Sequence, residues 1–344
     1  MTPDTTSDVT PAETPGAGDT LLSIRDLVVE FPTGAGTVRA VDHVSLELGY
    51  GERLGIVGES GSGKSVLART AMGLTRAGTA RISGQVVIAG HSVLDLKERR
   101  RRALWGREVA MVFQDPLSAL HPITPIGEQI AEAVRRDPEV TRRQAAARAV
   151  ELLETVGIPQ AARRVHSRAH ELSGGMRQRV AIAMAVACRP KLLFADEPTT
   201  ALDVTVQARI LDLFDELCAS FGIGLVMVSH DLGVVGRHTD QVAVMYAGRI
   251  AERGPVGAVF ARPSMHYTSS LMAAIPRHRA TEQSLPRPIP GQPPNLLNPP
   301  PGCRFGPRCG HASARCRDEQ PPLLALGDVP GHEYACWHPG KASR

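Results

Sequence analysis

The sequence predicts an α/β protein, and two observations carry that prediction. A short apolar segment, Arg53–Val57, is followed by a glycine-rich loop and by a helical pattern from Lys64 to about Met72. Further along the chain, two apolar segments typical of buried strands, Lys191–Ala195 and Ile223–Ser229, flank a helical pattern over Val204–Phe221. Units of this kind build parallel sheets whose strands are joined by crossover helices.

Composition and charge agree with a globular protein. The chain has 344 residues, 42% of them apolar, which excludes wholesale disorder. It carries 39 Lys and Arg against 35 Asp and Glu, a formal net charge of +4. This surplus is too small and too dispersed to indicate a nucleic-acid-binding surface. No apolar window is long enough to cross a membrane.

Two other groups of elements surround the α/β core. Alternating segments at Leu21–Phe31 and Val38–Leu48 predict antiparallel strands joined by a glycine-rich turn. From about Pro125 to Cys188 the pattern is helical, which indicates a helical subdomain inserted into the core. The helices predicted there cover 126–134, 141–156 and 174–187.

Composition also divides the chain. Its first residues are rich in Thr, Pro and Asp and lack the apolar run of a secretory signal, so a disordered tail in a cytosolic protein is expected. A proline-rich stretch before the C-terminal cysteines predicts an extended linker. The predicted regions are a tail at 1–20, a main domain at 21–278 with the helical subdomain at about 116–188, a linker at 279–302 and a Cys-rich extension at 303–344.

The loop Gly58–Ser65 matches the pattern G-x-x-x-x-G-K-[ST] between a strand and a helix. Glycines let the backbone curl until several N–H groups point at one anion, Lys64 reaches the β and γ phosphates, and the Ser65 hydroxyl is offered to Mg²⁺. The pattern predicts a P-loop NTPase with a RecA-like core. Its expected nucleotide-binding residues are Gly58, Ser60, Gly61, Ser62, Gly63, Lys64 and Ser65.

Two adjacent acids, Asp196 and Glu197, end the strand that begins at Lys191. At the carboxyl end of a parallel strand both side chains can reach a bound ligand. We expect Asp196 to hold Mg²⁺ and Glu197 to polarise the attacking water.

The octet Leu172–Arg179 provides a second anion site, because Ser173 can cap a helix whose first residues, Gly174 and Gly175, expose backbone N–H groups. The whole octet resembles the signature motif of ABC-transporter ATPases. The rest of that family's motifs follow in order. Gln114 resembles the Q-loop glutamine, Ala201–Asp203 the D-loop, and His230 the switch histidine.

The resemblance implies a mechanism that needs two subunits. Each ATP would lie between the phosphate loop of one chain and Ser173, Gly174, Gly175 and Asp203 of another. Glu197 would act as the catalytic base, while His230 and Gln114 would sense the γ-phosphate. Mg²⁺ would be held by Ser65, Gln114 and Asp196.

Phe31 resembles the aromatic residue that stacks on adenine in this family, although strands favour Phe in their cores for other reasons. The sequence contains no Asn-Lys-x-Asp motif of the kind that reads guanine. ATP is therefore expected rather than GTP.

Other segments resemble the oligopeptide/dipeptide branch of ABC importers. They are 113–122, with His121 where that branch more often has Asn, 168–171, where Arg-Ala replaces Tyr-Pro, and the stretches 290–294 and 302–309. The resemblance implies a peripheral ATPase at the cytoplasmic face of the cell membrane. Its partners would be two permease subunits, a second identical or homologous ATPase subunit and, indirectly, an extracytoplasmic binding protein, but no nucleic acid. The alternative is a soluble ABC ATPase acting on nucleic acid or ribosomes, a class that generally has two ATPase cores or a long coiled-coil insertion.

Four of the six cysteines, Cys303, Cys309, Cys316 and Cys336, lie in the last 42 residues. Their spacing fits neither paired zinc knuckles nor the usual ferredoxin run. Four thiolates in a reducing compartment suggest an all-cysteine metal site, and the resemblance implies a [4Fe-4S] cluster. Zinc is the second choice, with His311, His332 and His338 as alternative ligands; the third reading is four unconnected thiols.

Two further features are expected to be structural. The run Glu98–Arg102 has no interleaved aromatic residues and predicts a solvated helix face. Cys188 and Cys218 lie in helical patterns and are expected to be buried packing residues.

Overall fold

The structure is a computed structural model that describes residues 20–76, 78–200, 202–275, 287–327 and 329–340. The predicted N-terminal tail, except for Thr20, lies outside the described residues. So do Ala201 of the D-loop, residues 279–286 of the predicted linker and the last four residues of the chain.

Within the described residues, a sheet of eight strands forms the core. Its strands are β3 (Arg53–Val57), β6 (Val109–Val112), β7 (Leu192–Asp196), β8 (Gly224–Ser229), β9 (Gln241–Tyr246), β10 (Arg249–Pro255), β11 (Leu324–Ala325) and β12 (Glu333–Tyr334). They are arranged in the order β11-β12-β10-β9-β3-β8-β7-β6. The five strands from β9 to β6 are parallel to one another, and the other three are added antiparallel. The predicted parallel core with a crossover helix between β7 and β8 is thereby confirmed.

A second sheet is antiparallel. It contains β1 (Thr20–Thr33), β2 (Gly36–Gly49), β4 (Arg81–Ile88) and β5 (His91–Ser92) in the order β2-β1-β4-β5. The predicted hairpin is the pair β1 and β2, in which Phe31 lies opposite Val38. The sequence patterns did not predict β4 and β5.

Helices surround both sheets. They are α1 (Lys64–Ala71), α2 (Glu98–Leu104), α3 (Pro116–Ala119), α4 (Ile126–Val134), α5 (Arg142–Thr155), α6 (Ala161–Arg164), α7 (Gly174–Val186), α8 (Val204–Phe221), α9 (Leu232–His238), α10 (Val256–Ala261), α11 (His266–Ala273) and α12 (Ala314–Asp318). Between β6 and β7 the structure contains helices α3 to α7 and no strand, as predicted. No helix in the described ranges combines the length and apolarity that crossing a bilayer requires.

Strand β7 shows why the central strands are continuous apolar runs. Leu193 and Ala195 pack into a cluster shared with the helical subdomain. The alternate residues, Leu192 and Phe194, pack into a cluster beneath the antiparallel sheet. Since successive side chains of a strand point to opposite faces, a strand covered on both faces must be apolar throughout.

The C-terminal region is joined to the core. Strand β12 pairs with β10, with Tyr334 opposite Glu252. Phe305 packs against both Tyr246 and Tyr267, with its ring centroid 5.4 Å from that of each. Residues 287–302 form no helix or strand, yet Ile289 and Leu296 pack against the same apolar cluster. This segment therefore runs along the protein surface as a partly packed strap; the predicted domain boundaries at 279 and 303 stay predictions.

Two expectations about single segments have different outcomes. Helix α2 presents an exposed basic face on which Arg102 pairs with Glu98, as expected for a solvated helix. Cys218 is buried in α8, as predicted, and burial raises the pKa of its thiol to about 12. The prediction for Cys188 is wrong in part, because α7 ends at Val186 and Cys188 lies half-buried in the turn that follows, with its thiol donating to the Ala133 carbonyl oxygen at 3.2 Å.

Candidate nucleotide site

The loop between β3 and α1 has the backbone shape that its glycines predict. Gly63 has φ +101° and packs so closely that a Cβ would stand 2.2 Å from the Ala40 carbonyl oxygen. At Gly58 a Cβ would stand 2.1 Å from the Met245 carbonyl oxygen. A side chain at either position would push the loop off the β3 edge, so the curl depends on glycine.

Lys64 lies inside this curl. Its Nζ donates to the carbonyl oxygens of Gly58 at 2.8 Å and Glu59 at 2.9 Å, and the side chain is buried. Burial lowers the pKa of Lys64, because the ammonium has lost solvent that two carbonyl dipoles only partly replace. A buried ammonium held by uncharged carbonyl oxygens is ready to receive an anion.

Ser65 and Asp196 are in direct contact. The Ser65 hydroxyl donates to Asp196 Oδ1 at 2.7 Å, and the Asp196 carboxylate is fully buried at the end of β7. Arg69 of α1 approaches the other carboxylate oxygen at 3.4 Å. A hydroxyl and a carboxylate side by side are the hard oxygen ligands that Mg²⁺ prefers, so this pair fits the ion that the fold implies.

Glu197 contacts residues that follow the two strands on either side of its own. Its Oε2 accepts from Gln114 Nε2 at 3.2 Å and lies 3.3 Å from His230 Nδ1. Gln114 follows β6 and His230 follows β8, on either side of β7, so the parallel order of the sheet brings the three together. Thr200, which no sequence pattern singled out, donates its hydroxyl to the same oxygen at 3.1 Å.

The backbone of Glu197 is also unusual. Its φ is +46°, in the left-handed region that costs a non-glycine residue about 1 kcal/mol or more. Its N–H donates to the Val228 carbonyl oxygen of β8 at 2.9 Å. This hydrogen bond holds the residue in place, and the chain turns so that Glu197 and Asp196 can both face the phosphate loop.

Ser173 caps α7 as predicted, with its Oγ accepting from the Met176 N–H at 3.4 Å. The next turn packs tightly, because a Cβ on Gly175 would stand 2.6 Å from Val206. Asp203 caps α8 and accepts from the Val206 N–H at 2.9 Å. The turn at Ser173 and the start of α8 therefore support one another.

Ser173, Gly174 and Asp203 are all exposed. Among the described residues no hydrogen bond or ion pair joins them to the phosphate loop. A single chain thus presents two separate surfaces suited to phosphate, one at Lys64 and one at Ser173.

Phe31 lies near the turn of the first hairpin and is half-buried against the cluster beneath the antiparallel sheet. This packing is enough to explain why part of the Phe31 ring is buried. The structure leaves the stacking role of Phe31 a prediction.

The four C-terminal cysteines converge on one cavity. Cys303, Cys309, Cys316 and Cys336 line it together with His266, His311 and His338. Burial raises the pKa of the Cys303 and Cys309 thiols, and it raises that of Cys336 to about 11. Thiolates would therefore persist there only beside a positive charge. The four thiols are free and lie together at this cavity, so their role stays a prediction.

Zinc at this cavity has no support. Within the described ranges no three His, Cys, Asp or Glu side chains are arranged to hold a metal ion. His332, one of the alternative ligands, lies elsewhere, with its Nε2 2.8 Å from Glu252 Oε1 in a fully buried pair.

An apolar groove beside β6 was not predicted from the sequence. It is lined by Met72, Leu74, Trp105, Gly106, Val109, Ala110, Met111, Val112, Phe113, Ala119, Ala133, Arg136, Ala181, Met184, Ala185 and Cys188. Phe113, at one end of this lining, immediately precedes Gln114. Two large exposed apolar side chains, Leu117 and Ile123, follow Gln114 in the chain at 51% and 71% exposure.

Comparison with known protein families gives two matches. Residues 41–200 match the model of the ABC transporter family, and residues 251–316 match that of the oligopeptide/dipeptide transporter C-terminal region.

Curated relatives match nearly the whole chain. A probable peptide ABC transporter ATP-binding protein of Sinorhizobium fredii is 46% identical over 93% of this chain and 95% of its own length. The oligopeptide transport ATP-binding protein OppD of Salmonella typhimurium is 46% identical over 96% of this chain and 97% of its length. That of Bacillus subtilis is 43% identical over 93% and 89%.

Solved structures with the same fold include a dimeric post-hydrolysis state of the ATP-binding cassette MJ0796 bound to ADP and Pi. It covers 68% of this chain and 98% of its own, with 26% identity and a TM-score of 0.62. The cassette cbiO1 from Clostridium perfringens, part of the transporter complex cbiONQ, covers 71% and 91%, with 27% identity and a TM-score of 0.60.

Proposed function

The chain belongs to the ATP-binding proteins of ABC transporters of the oligopeptide/dipeptide type, and from this premise we propose its function. It hydrolyses ATP and thereby powers the uptake of oligopeptides, dipeptides or related solutes across the cytoplasmic membrane. The observation that carries the chemistry is the Glu197 carboxylate, held by Gln114 and His230 beside a complete phosphate loop. The relatives named above support transport and give no support to an ATPase acting on nucleic acid or ribosomes.

The proposed roles at the phosphates follow from the contacts. Lys64 would exchange its two carbonyl partners for phosphate oxygens, and the N–H groups of the loop would hold the rest of the polyphosphate. Ser65, Asp196 and Gln114 would hold Mg²⁺. When bound, the ion supplies neutralisation of charge on the β and γ phosphates.

Glu197 is the proposed general base. Its carboxylate accepts hydrogen bonds from Gln114 and Thr200, which orient it without removing its capacity to accept a proton from water. His230 is 62% exposed at its side chain, so it can turn toward a γ-phosphate without leaving a packed position. Phe31 is the proposed adenine-stacking residue.

A second ATPase subunit would complete each site. Ser173 and Gly174 expose a capped helix start to solvent, an arrangement of backbone donors that favours an anion brought by another chain. Asp203 would lie at the same contact. The related cassette MJ0796 bound to ADP and Pi is dimeric, which agrees with pairing of this kind. The pair would be formed by a copy of this chain or by a homologue.

The groove beside β6 is the proposed seat of a permease. Its lining is almost wholly apolar. Leu117 and Ile123, which follow Gln114 in the chain, are also exposed. An apolar helix of a membrane subunit would bury this surface. Phe113 lines the groove, and its neighbour Gln114 hydrogen-bonds to Glu197. Movement of a bound permease helix would therefore displace Gln114 and, through it, the Glu197 carboxylate. Two permeases, one per ATPase subunit, would place the protein peripherally at the cytoplasmic face, and an extracytoplasmic binding protein would act through them.

A [4Fe-4S] cluster is the proposed occupant of the cysteine cavity. What supports it is the convergence of four cysteine side chains on one cavity, with Cys309 half-buried and the other three buried. Four cysteine thiolates are a ligand set that a [4Fe-4S] cluster takes. When bound, the cluster would supply the positive charge that keeps these sulfurs as thiolates. Cys303, Cys309, Cys316 and Cys336 would hold it.

Purification from membranes with identification of every stoichiometric partner tests the function. We expect two permeases and a second ATPase subunit, and ATP-dependent uptake of a labelled peptide after reconstitution into vesicles with the binding protein. Recovery with ribosomes or nucleic acid, and no membrane protein, would contradict the proposal.

A further inference from the structure

Glu59 is the second residue of the phosphate loop. Its hydrogen-bond partners include residues far along the chain from the strand and helix that flank the loop. Its carboxylate accepts two hydrogen bonds from the Arg308 guanidinium, at 2.6 and 3.0 Å. Its backbone N–H donates to Tyr267 Oη at 2.8 Å. Arg308 belongs to the Cys-rich extension and Tyr267 to α11, so the C-terminal part of the chain grips the loop directly.

Arg308 is held in a fixed position. Its side chain is only 5% exposed, and it also donates to Tyr246 Oη at 3.1 Å and to the Pro290 carbonyl oxygen at 2.8 Å. The hydrogen bonds with Glu59 raise the pKa of Arg308 above its usual range. A planar guanidinium with this many partners is a permanent and well-oriented positive charge.

The negative charge of the Glu59 carboxylate disfavours the binding of an anion at the phosphate loop. The Glu59 carbonyl oxygen accepts from Lys64 Nζ, and the Glu59 charge acts on that ammonium together with the charges of Glu197 and Asp196. Without Arg308, the unpaired negative charge of Glu59 would act on the cation that receives ATP. It would repel the polyphosphate and compete for Lys64.

We propose that Arg308 is a positioning residue of the nucleotide site. It neutralises Glu59 and turns that carboxylate away from Lys64, so that the loop keeps a net positive charge for ATP. The inference rests on the proposed function only in taking ATP as the ligand of the loop. It adds that the Cys-rich extension sets the affinity of this loop for nucleotide.

A purely structural role for Arg308, as a clamp between extension and loop, makes a different prediction. If the pair is only a clamp, removing either partner or both should have the same effect. If the pair is a neutralising device, removing Arg308 alone is harmful, whereas removing both charges restores the site.

The experiment measures KM and kcat for ATP, and the affinity for a fluorescent ATP analogue, on the full-length protein with its partner subunits. Arg308→Ala is expected to raise KM about tenfold, the effect of one unit charge at roughly 10 Å in a partly screened site, with a smaller change in kcat. The double variant Glu59→Gln/Arg308→Ala is expected to return KM to about that of Glu59→Gln alone. Arg308→Lys should rescue part of the loss.

Arg253→Ala is the matched control. It removes another ion pair that ties the extension to the core, between Arg253 and Glu333, which does not touch the phosphate loop. KM for ATP should stay at the wild-type value in this variant. An equal rise in KM would show that loosening the extension is enough, and it would overturn the charge argument.

An unchanged KM in Arg308→Ala, or a double variant as impaired as Arg308→Ala, would also overturn the inference. If Arg308→Ala does not fold, Glu59→Gln decides, since the inference expects a KM equal to or below the wild-type value and a rise contradicts it. A wild-type protein that neither binds nor hydrolyses ATP would refute the proposed function instead, which separates the two failures.

Discussion

Gln114 Nε2 and Glu197 Oε2 lie 3.2 Å apart and join the ends of two neighbouring parallel strands, β6 and β7. The residue before Gln114, Phe113, lines the apolar groove. The Glu197 carboxylate is therefore connected, through Gln114 and Phe113, to the apolar groove. Several consequences can be measured.

The first concerns Glu197. Glu197→Gln keeps the hydrogen bonds of the side chain but removes its basicity, so it should retain ATP binding and lower ATP turnover on the order of 10² to 10⁴ fold. Binding of a fluorescent ATP analogue and release of phosphate are the measurements. Near-normal turnover in this variant would contradict the assignment of Glu197 as base.

The second concerns Ser173. Ser173→Arg should leave the analogue bound at the phosphate loop of its own chain but abolish ATP hydrolysis by the assembled pair, because the partner's phosphate contact is blocked. Loss of a helix cap costs about 1 kcal/mol in any case. Thr141→Arg removes the comparable cap of α5 and serves as the control; if hydrolysis fell equally in both variants, the two-subunit site would lose its support.

The third concerns the groove. Ala185→Arg places a long charged side chain in its apolar lining and should prevent co-purification with membrane subunits, while binding of ATP is unchanged. Ala146→Arg, on the exposed face of α5 in the same subdomain, should keep those partners. Retention of permeases by Ala185→Arg would place their contact elsewhere.

The fourth concerns the cysteine cavity. Protein purified without oxygen should be brown and contain about four iron atoms per chain, as one cubane cluster requires. Cys336→Ser should lose most of the iron, whereas Cys188→Ser, outside the cavity, should keep it. Colourless protein without metal would refute the proposal of a cluster.

The fifth concerns pH and Cys218. Burial raises the pKa of this thiol to about 12, above the ordinary value of 9. The unfolded chain therefore releases this proton at lower pH than the folded one, so stability that is complete below pH 9 is lost as pH rises toward 12. The slope of this loss is at most about 1.4 kcal/mol per pH unit. Chemical unfolding between pH 8 and 11 should show a shallower decline for Cys218→Ala than for the wild type; parallel declines would contradict it.

The sequence predicted the backbone shape of the phosphate loop, for a physical reason. A phosphate loop is built from consecutive residues, and its glycines, Lys64 and Ser65 act through local backbone geometry. Asp196 and Glu197 end a strand whose burial on both faces requires an apolar run, so they stand out in the chain. Thr200 and the strands β4, β5, β9, β10, β11 and β12 were not predicted from the sequence.

The amino-acid order by itself predicted which loop would cradle phosphate, and it determined that Ser173 caps α7, since both depend on neighbours within one turn. Only the tertiary structure decided that Arg308 pairs with Glu59 across 249 positions and that four scattered cysteines face one cavity. Such pairings are set by the packing of Phe305, Tyr246 and Tyr267 and by the addition of β12 to the main sheet. They bring together residues whose spacing along the chain carries no periodic signal.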